Sequence, residues 1–386
     1  MGNLSNKNIE TKIRRVNELT TAETAAWARF TDKNPVLYSP YFKIGYVQIL
    51  SSLCKDVRVL VIYRDGVILA FLPFQAKRHV GGKIGFARPA GTPMTDYHGF
   101  ICAVDTRFDA LEVLKQAGFG AYHFSALVDN CDLLSSHTHS SVPCTVMDIS
   151  QGAQHWRDAQ NKSYRRHLKN YRRQVRKTDE YGARRFEYDV KDQKVFDQLM
   201  AWKKEQFIRS GKYDVLSADW TKSLLQILWQ RGPDQPFRAD LHAFYIGDEL
   251  AAVDLGLTDG ITFHSWIIAY NSKFHKVAPG IQLLEGLIDA SEQLGYKRID
   301  LGEGVDGYKH YYASEEMMVS SGFIAARGPS AALSKIYGGV ESFSENKLGK
   351  VGRLPGKVRR RYTQISACDI SIVGRSKAML QAVKNS

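Results

Sequence analysis

No apolar run in this chain is long enough to span a bilayer. The longest candidates, VRVLVIY and VILAFLPF, are strand-sized and separated by a turn. The first residues, MGNLSNKNIETKIRRVNE, lack the apolar core of a signal peptide, so a cytoplasmic protein is expected. Cysteine is scarce. Cys54, Cys102, Cys131, Cys144 and Cys368 are scattered, odd in number and never two residues apart. That pattern excludes a disulfide framework and a zinc knuckle. His137 and His139 sit on a polar turn and read as a turn, so no metal is expected. Acid is missing altogether between Asp158 and Asp179, where base is dense.

What is present is a folded, basic chain. Its 386 residues suffice for two or three domains, and 44% apolar with 11% aromatic residues argues against disorder. The 53 lysines and arginines exceed the 40 acids, giving a net charge of +13, which suits a polyanionic partner.

Residues 57–77 predict a β-hairpin turning at Asp65 and Gly66. GFARPAGTPMTDYHGFI, rich in Gly, Pro and aromatics, predicts an irregular segment. ALEVLKQAGF predicts a short helix, and AYHFSALV a strand. In 156–181, Tyr164, Leu168, Tyr171 and Val175 recur at spacings of four, three and four, the apolar face of a helix that is otherwise basic. VFDQLMAWKKEQFIR predicts another helix. Three antiparallel strands follow from LHAFYIGDELAAVDLGLTDGITFHSWIIAY. Then come a helix opened by Pro279 and Gly280 and closed by Gly295, and the strand KRIDLG. YIGDELAA echoes VIYRDGVILA, a weak internal repeat that points to duplicated α/β units. The expected organisation is 1–155, a basic connecting helix at 156–182, a second lobe at 183–330 and a basic tail at 331–386.

The stretch RIDLGEGVDGYKHYYASEE joins a buried strand to spaced glycines, three acids and one lysine among tyrosines. Together with SYRRHLKNYRRQ and PGIQLLEGLIDA it resembles the Fem-like, BioF2-like branch of the GNAT acyltransferases. Within that branch the chain looks most like proteins encoded with bacterial cellulose, holdfast and exopolysaccharide machinery. The resemblance covers roughly residues 30–325. It implies two tandem GNAT-like lobes, each a mixed, mostly antiparallel sheet flanked by helices, with a substrate cleft between them. It implies transfer of an acyl group from acyl-CoA, acetyl-CoA first among candidates, to an amino sugar of a lipid- or nucleotide-linked glycan precursor. Aminoacyl-tRNA is the alternative donor of the Fem type. A non-catalytic module sensing an anionic ligand through the basic tail is the other alternative. The usual pyrophosphate loop, Gln/Arg-x-x-Gly-x-Gly/Ala, is here HKVAPGI, which keeps one glycine and a helix N-terminus.

The candidate residues follow from the needs of acyl transfer to an amine: a proton acceptor, charge stabilisation at the acyl oxygen, and contact between reactants. The resemblance gives Lys309 the stabilising role. Asp300, within the strand, and Glu303, between two glycines, are candidate bases, with Asp306 ranked lower. Gly280 and Ile281 are the candidate phosphate site. Asp96, Tyr97, His264, Trp266 and Tyr308 are candidate substrate contacts; strand alternation places His264 and Trp266 on one face. Trp202, Lys204 and Gln206 are weaker candidates. Arg165, Arg166, Arg172 and Arg173 suit a diphosphate or an anionic membrane, since a solvated helix interleaves acids and this one has none. Arg359, Arg360 and Arg361 suit an inner leaflet or a phosphate-rich nucleotide effector.

Overall fold

The computed structural model describes residues 8–76, 79–80, 83–129, 131–235, 237–313, 317–336 and 365. The chain forms two compact units. One comprises Met1–Val142 with Met318–Ser386, the other Pro143–Met317.

In chain order the first unit is built from β1 (Ile9–Arg14), α1 (Thr21–Lys33), α2 (Ile44–Leu53), β2 (Val57–Arg64), β3 (Val67–Ala76), β4 (His79–Val80), β5 (Lys83–Pro89), β6 (Ile101–Cys102), α3 (Ala110–Gln116) and β7 (Phe119–Leu127). β8 (Thr138–Asp148) carries the chain into the second unit. There follow α4 (Ala153–Ala159), α5 (Lys162–Thr178), β9 (Arg184–Glu187), α6 (Gln193–Arg209), α7 (Asp219–Gln230), β10 (Arg238–Ile246), β11 (Glu249–Thr258), β12 (Thr262–Tyr270), α8 (Pro279–Leu294) and β13 (Arg298–Glu303). β14 (Met318–Ala325) returns to the first unit and pairs with β7.

The units repeat one plan. β1, β2, β3, β5, β7 and β14 form one ladder of strands; β9, β10, β11, β12, β13 and β8 form the other. In both, every adjacent pair is antiparallel except the fourth with the fifth: β5 with β7, and β12 with β13. Two helices separate the first and second strands of each set, and one helix leads into the fifth. The hairpins match in turn length and bulge position. Asp65–Gly66 and Gly247–Asp248 are two-residue turns, and each ladder has a bulge at the same step, between Ile62 and Tyr63 and between Phe244 and Tyr245. Asp65 and Gly66 both take positive φ, the geometry that suits the right-handed strand twist. The short echo between YRDGVILA and YIGDELAA thus marks a true structural repeat, and both units are mixed α/β layers.

The boundaries differ from the expected ones. The second unit starts at Pro143 rather than after 155 and ends at Met317 rather than 330. Backbone pairing is the reason: Cys144, Val146, Met147 and Asp148 pair with β13, whereas β14 pairs with β7. α5 is part of the second unit rather than a separate connector. Its Tyr164 is buried in a core with Phe244, Phe263, Leu283, Leu287, Ile299 and Tyr312. The first unit has its own core around Leu60, Leu72, Phe74, Phe119 and Tyr122.

Gly256 is required by close approach. A Cβ at Gly256 would collide with the Phe263 ring, where the β11–β12 register shifts. Gly256→Ala is therefore expected to lower stability by about 1–3 kcal/mol through overpacking. Denaturant unfolding measures it, and a change within error would mean that both the ring and the His264 carbonyl, 2.8 Å from that Cβ, give way freely.

Candidate active site in the second unit

β12 and β13 run parallel, but only three residue pairs hold them: Thr262–Arg298, Phe263–Ile299 and His264–Asp300. Both strands continue past that point, β12 to Tyr270 and β13 to Glu303, without further pairing to each other. The parting coincides with a bulge in β12. Ser265 pairs with Gly256 and Ile267 with Leu255, so Trp266 is an inserted residue. The alternation rule therefore fails across it, and it cannot put His264 and Trp266 on one face. His264 is fully buried and Trp266 half-buried.

The N-terminus of α8 stands beside this parting. A Cβ at Gly280 would lie 3.8 Å from Ile268 of β12, an ordinary contact. The residue before the helix, Ala278, takes a left-handed conformation at φ 49° and has no side chain to cap the helix. Pro279 brings no N–H. The Gly280 N–H has no partner among the described residues, while Ile281 and Gln282 donate back to the Ala278 carbonyl at 3.0 and 3.2 Å. Gly280 and Ile281 are half-exposed. An uncapped, accessible helix N-terminus with glycine at its second position fits a phosphate of the kind acyl-CoA carries.

Around the parting lies a group of polar side chains, most of them buried. Asp300, on β13, is fully buried. Its Oδ1 accepts the Gly302 N–H at 2.7 Å, and its Oδ2 stands 3.5 Å from His264 Nδ1. Asp300 thus braces the strand end and meets the histidine. Asp254, on β11, is 2% exposed. Ser265 Oγ donates to its Oδ2 at 2.7 Å, and its Oδ1 is buried without a hydrogen-bond partner. Burial pushes the Asp254 carboxyl up to about 6, against the opposing pull of the Ser265 hydroxyl, Lys203 and His264. Lys203, on α6, donates to the Ile268 carbonyl at 3.1 Å. The Tyr308 hydroxyl is pushed up to about 12 by burial, with Asp254 adding to the shift.

Lys309 opens a short helical turn after the glycines. Its half-buried ammonium donates to the carbonyls of Leu301 at 2.7 Å and Glu303 at 3.2 Å, clamping the end of β13. Gly302, Gly304 and Gly307 all take positive φ, so the chain folds back tightly enough for that clamp. Glu303 and Asp306 are exposed. The turn is anchored from behind by a buried carboxylate on α8. Glu285, 1% exposed, binds Arg157 at 2.9 Å and accepts from the hydroxyls of Tyr312 at 2.9 Å and Tyr164 at 3.3 Å. Tyr312 also meets His167 Nε2 at 3.1 Å, and His167 stacks on Tyr311 with ring centroids 4.3 Å apart.

Residues 165–310 match the family model described as an acetyltransferase (GNAT) domain. That segment is similar to a GNAT domain. Its match spans the parted strands, the α8 N-terminus, Asp254, Asp300 and Lys309. No curated protein sequence matches the chain. Among solved structures, the chain is similar to FemX at 10% identity and TM-score 0.49, over 81% of this chain and 96% of that one. It is also similar to a tandem GNAT protein from the clavulanic acid biosynthesis pathway, at 9% identity and TM-score 0.44, over 83% and 99%. A third is a glucosamine N-acetyltransferase region of a fungal multi-domain β-N-acetylglucosaminidase, at 11% identity and TM-score 0.45, over 82% and 38%.

The other residues singled out in the sequence fall elsewhere. Arg165, Arg166, Arg172 and Arg173 are exposed on α5. Trp202 and Gln206 line a shallow hollow with Glu205, Arg209, Ala269, Tyr270 and Ser272; Lys204 is exposed. Asp96 and Tyr97 belong to the first unit. Tyr97 is 1% exposed and packs edge-on to Tyr41, and the neighbouring Thr95 meets the Tyr46 hydroxyl at 2.7 Å. Tyr97 also lines a hollow of the first unit with Tyr41, Phe42, Tyr46, Thr95 and His98. Arg359, Arg360 and Arg361 lie outside the described residues.

Asp254 and Glu285 were not singled out by sequence reasoning. Asp254 interrupts the apolar run LAAVDLGL, and a carboxylate inside a buried strand is itself a signal. Glu285 sits on the apolar stripe of α8, the same signal in helical form.

Proposed function

We propose that the protein is an acyltransferase that moves an acyl group from acyl-CoA to the amine of an amino sugar on a lipid- or nucleotide-linked glycan precursor. The observation that carries this reading is the β12–β13 ladder ending at His264–Asp300 beside the uncapped N-terminus of α8, inside the matched GNAT segment. The acetyl group is the first donor to test. The family resemblance supports the glycan acceptor.

A bound acyl-CoA supplies the activated thioester carbonyl. The chain's residues do the rest. Gly280 and Ile281 hold phosphate at the helix end. Asp254, ionised above pH about 6, accepts the proton that the amine releases as it attacks. Asp300 orients His264 and keeps the β13 end in place. Lys309 sets positive charge beside the reacting carbonyl while its carbonyl contacts fix the turn.

The first test is incubation with acyl-CoA candidates and glycan precursor extract, read by mass spectrometry. An acyl mass increment on the glycan, with release of free CoA thiol, is expected. Thiol release that ribonuclease abolishes, or none with any acyl-CoA, would overturn the donor. Lys309→Met is expected to lower kcat about a hundredfold with KM little changed. Near-normal turnover in that variant removes Lys309 from the chemistry.

A further inference from the structure

α5 is one uninterrupted helix of 17 residues, about 25 Å long. At 100° per residue, its eight cations, Lys162, Arg165, Arg166, Lys169, Arg172, Arg173, Arg176 and Lys177, fall within an arc of about 140°. All eight are exposed. The opposite arc holds Tyr164, His167, Leu168, Tyr171 and Val175, which face the core of the second unit. No salt bridge joins any of the eight to a carboxylate among the described residues. A solvated helix normally carries acids at the i,i+4 positions, so eight unneutralised cations in one row repel each other without compensation.

We propose that this stripe docks the protein on an anionic lipid bilayer. The row is far longer than a single diphosphate, so one substrate headgroup engages only part of it. It runs the length of one uninterrupted helix, and a one-sided row of charge of that length suits an extended anionic surface. The arc contains no aromatic or apolar side chain, so it lacks the stacking platforms with which single-stranded nucleic acid is held. The same absence means that binding is electrostatic at headgroup level, without insertion, and is weakened by salt. Such docking brings the second unit to the surface where a lipid-linked acceptor resides. It does not depend on the acyl-transfer reading, because vesicle binding is measured without turnover.

The test uses the full chain and sedimentation with vesicles of mixed phosphatidylglycerol and phosphatidylcholine, against pure phosphatidylcholine. Two triple variants remove the same charge. One is Arg166→Gln, Lys169→Gln, Arg173→Gln on the stripe. The other is Lys194→Gln, Arg209→Gln, Lys222→Gln, exposed cations on α6 and α7. Glutamine keeps helix propensity, and thermal melts confirm that each variant folds. Wild type is expected to bind the anionic vesicles only, and to be released by salt. The α5 variant is expected to lose on the order of a hundredfold in partitioning, and the control severalfold at most. Equal losses in the two variants, retained binding by the α5 variant, no vesicle binding by wild type, or binding to an RNA homopolymer in place of vesicles would each overturn the proposal.

Discussion

Asp254→Asn is expected to lower kcat by about 10²–10⁴-fold and to remove the acid limb of the pH–rate profile. A carboxylate sealed in a strand loses hydration, and Asp254 recovers only part of it from Ser265, so its protonated form is favoured up to pH about 6. Above that value the group is a carboxylate with one unsatisfied oxygen, ready to accept a proton; below it the group is neutral and cannot. Activity should therefore fall as pH drops through about 6. Stability should move the other way. Between about 4 and 6 the folded state binds more protons at this site than the unfolded state, so its contribution to stability rises as pH falls. Asparagine is near-isosteric and carries no charge, so the variant should fold at least as stably at pH 7. A profile that keeps its limb near 6, or turnover within a few-fold of wild type, would assign the proton to another group.

Glu285→Ala is expected to cost about 3 kcal/mol of stability in denaturant unfolding. The carboxylate is nearly sealed, and removing it leaves Arg157 with only the exposed Asp289, at 2.6 Å, as its carboxylate partner. Tyr164 loses the acceptor for its hydroxyl, and Tyr312 keeps only His167. Because Tyr312 follows Lys309 by three residues, the loss also loosens the turn that carries the ammonium. Activity is expected to drop at temperatures where the variant is still folded. Glu285→Gln, which retains an acceptor but not the charge, should sit between alanine and wild type. A loss below about 1 kcal/mol for alanine would mean the pair is replaceable and the turn is held by aromatic packing alone.

Much of both units was legible in the sequence because the signals are local. α8 opens at Pro279 and closes at Gly295 as its glycine and proline placement dictates. The hairpin at Asp65–Gly66 and the meander of β10, β11 and β12 follow from turn chemistry and apolar alternation. The apolar face of α5 lies where the four-three-four spacing put it. Lys309 was singled out, but its contacts with Leu301 and Glu303 depend on three positive-φ glycines acting together, which residue type permits and does not compel. Asp254 was missed because its environment is assembled from β11, β12, α6 and the turn after β13. Trp266 was placed by a period of two that a one-residue bulge resets.

By itself, then, the sequence determined the elements, the one-sided basic helix and a turn that gathers glycines, acids and one lysine, because propensity, capping and periodicity act over a few residues. Only the tertiary structure decided which strands complete each unit, since β14 joins β7 and β8 joins β13 across long stretches of chain. It alone decided that two strands part beside a bare helix end and that Asp254 is buried there. A carboxylate's protonation depends on the summed hydration it loses and the partners it gains, and those come from residues that only folding brings together.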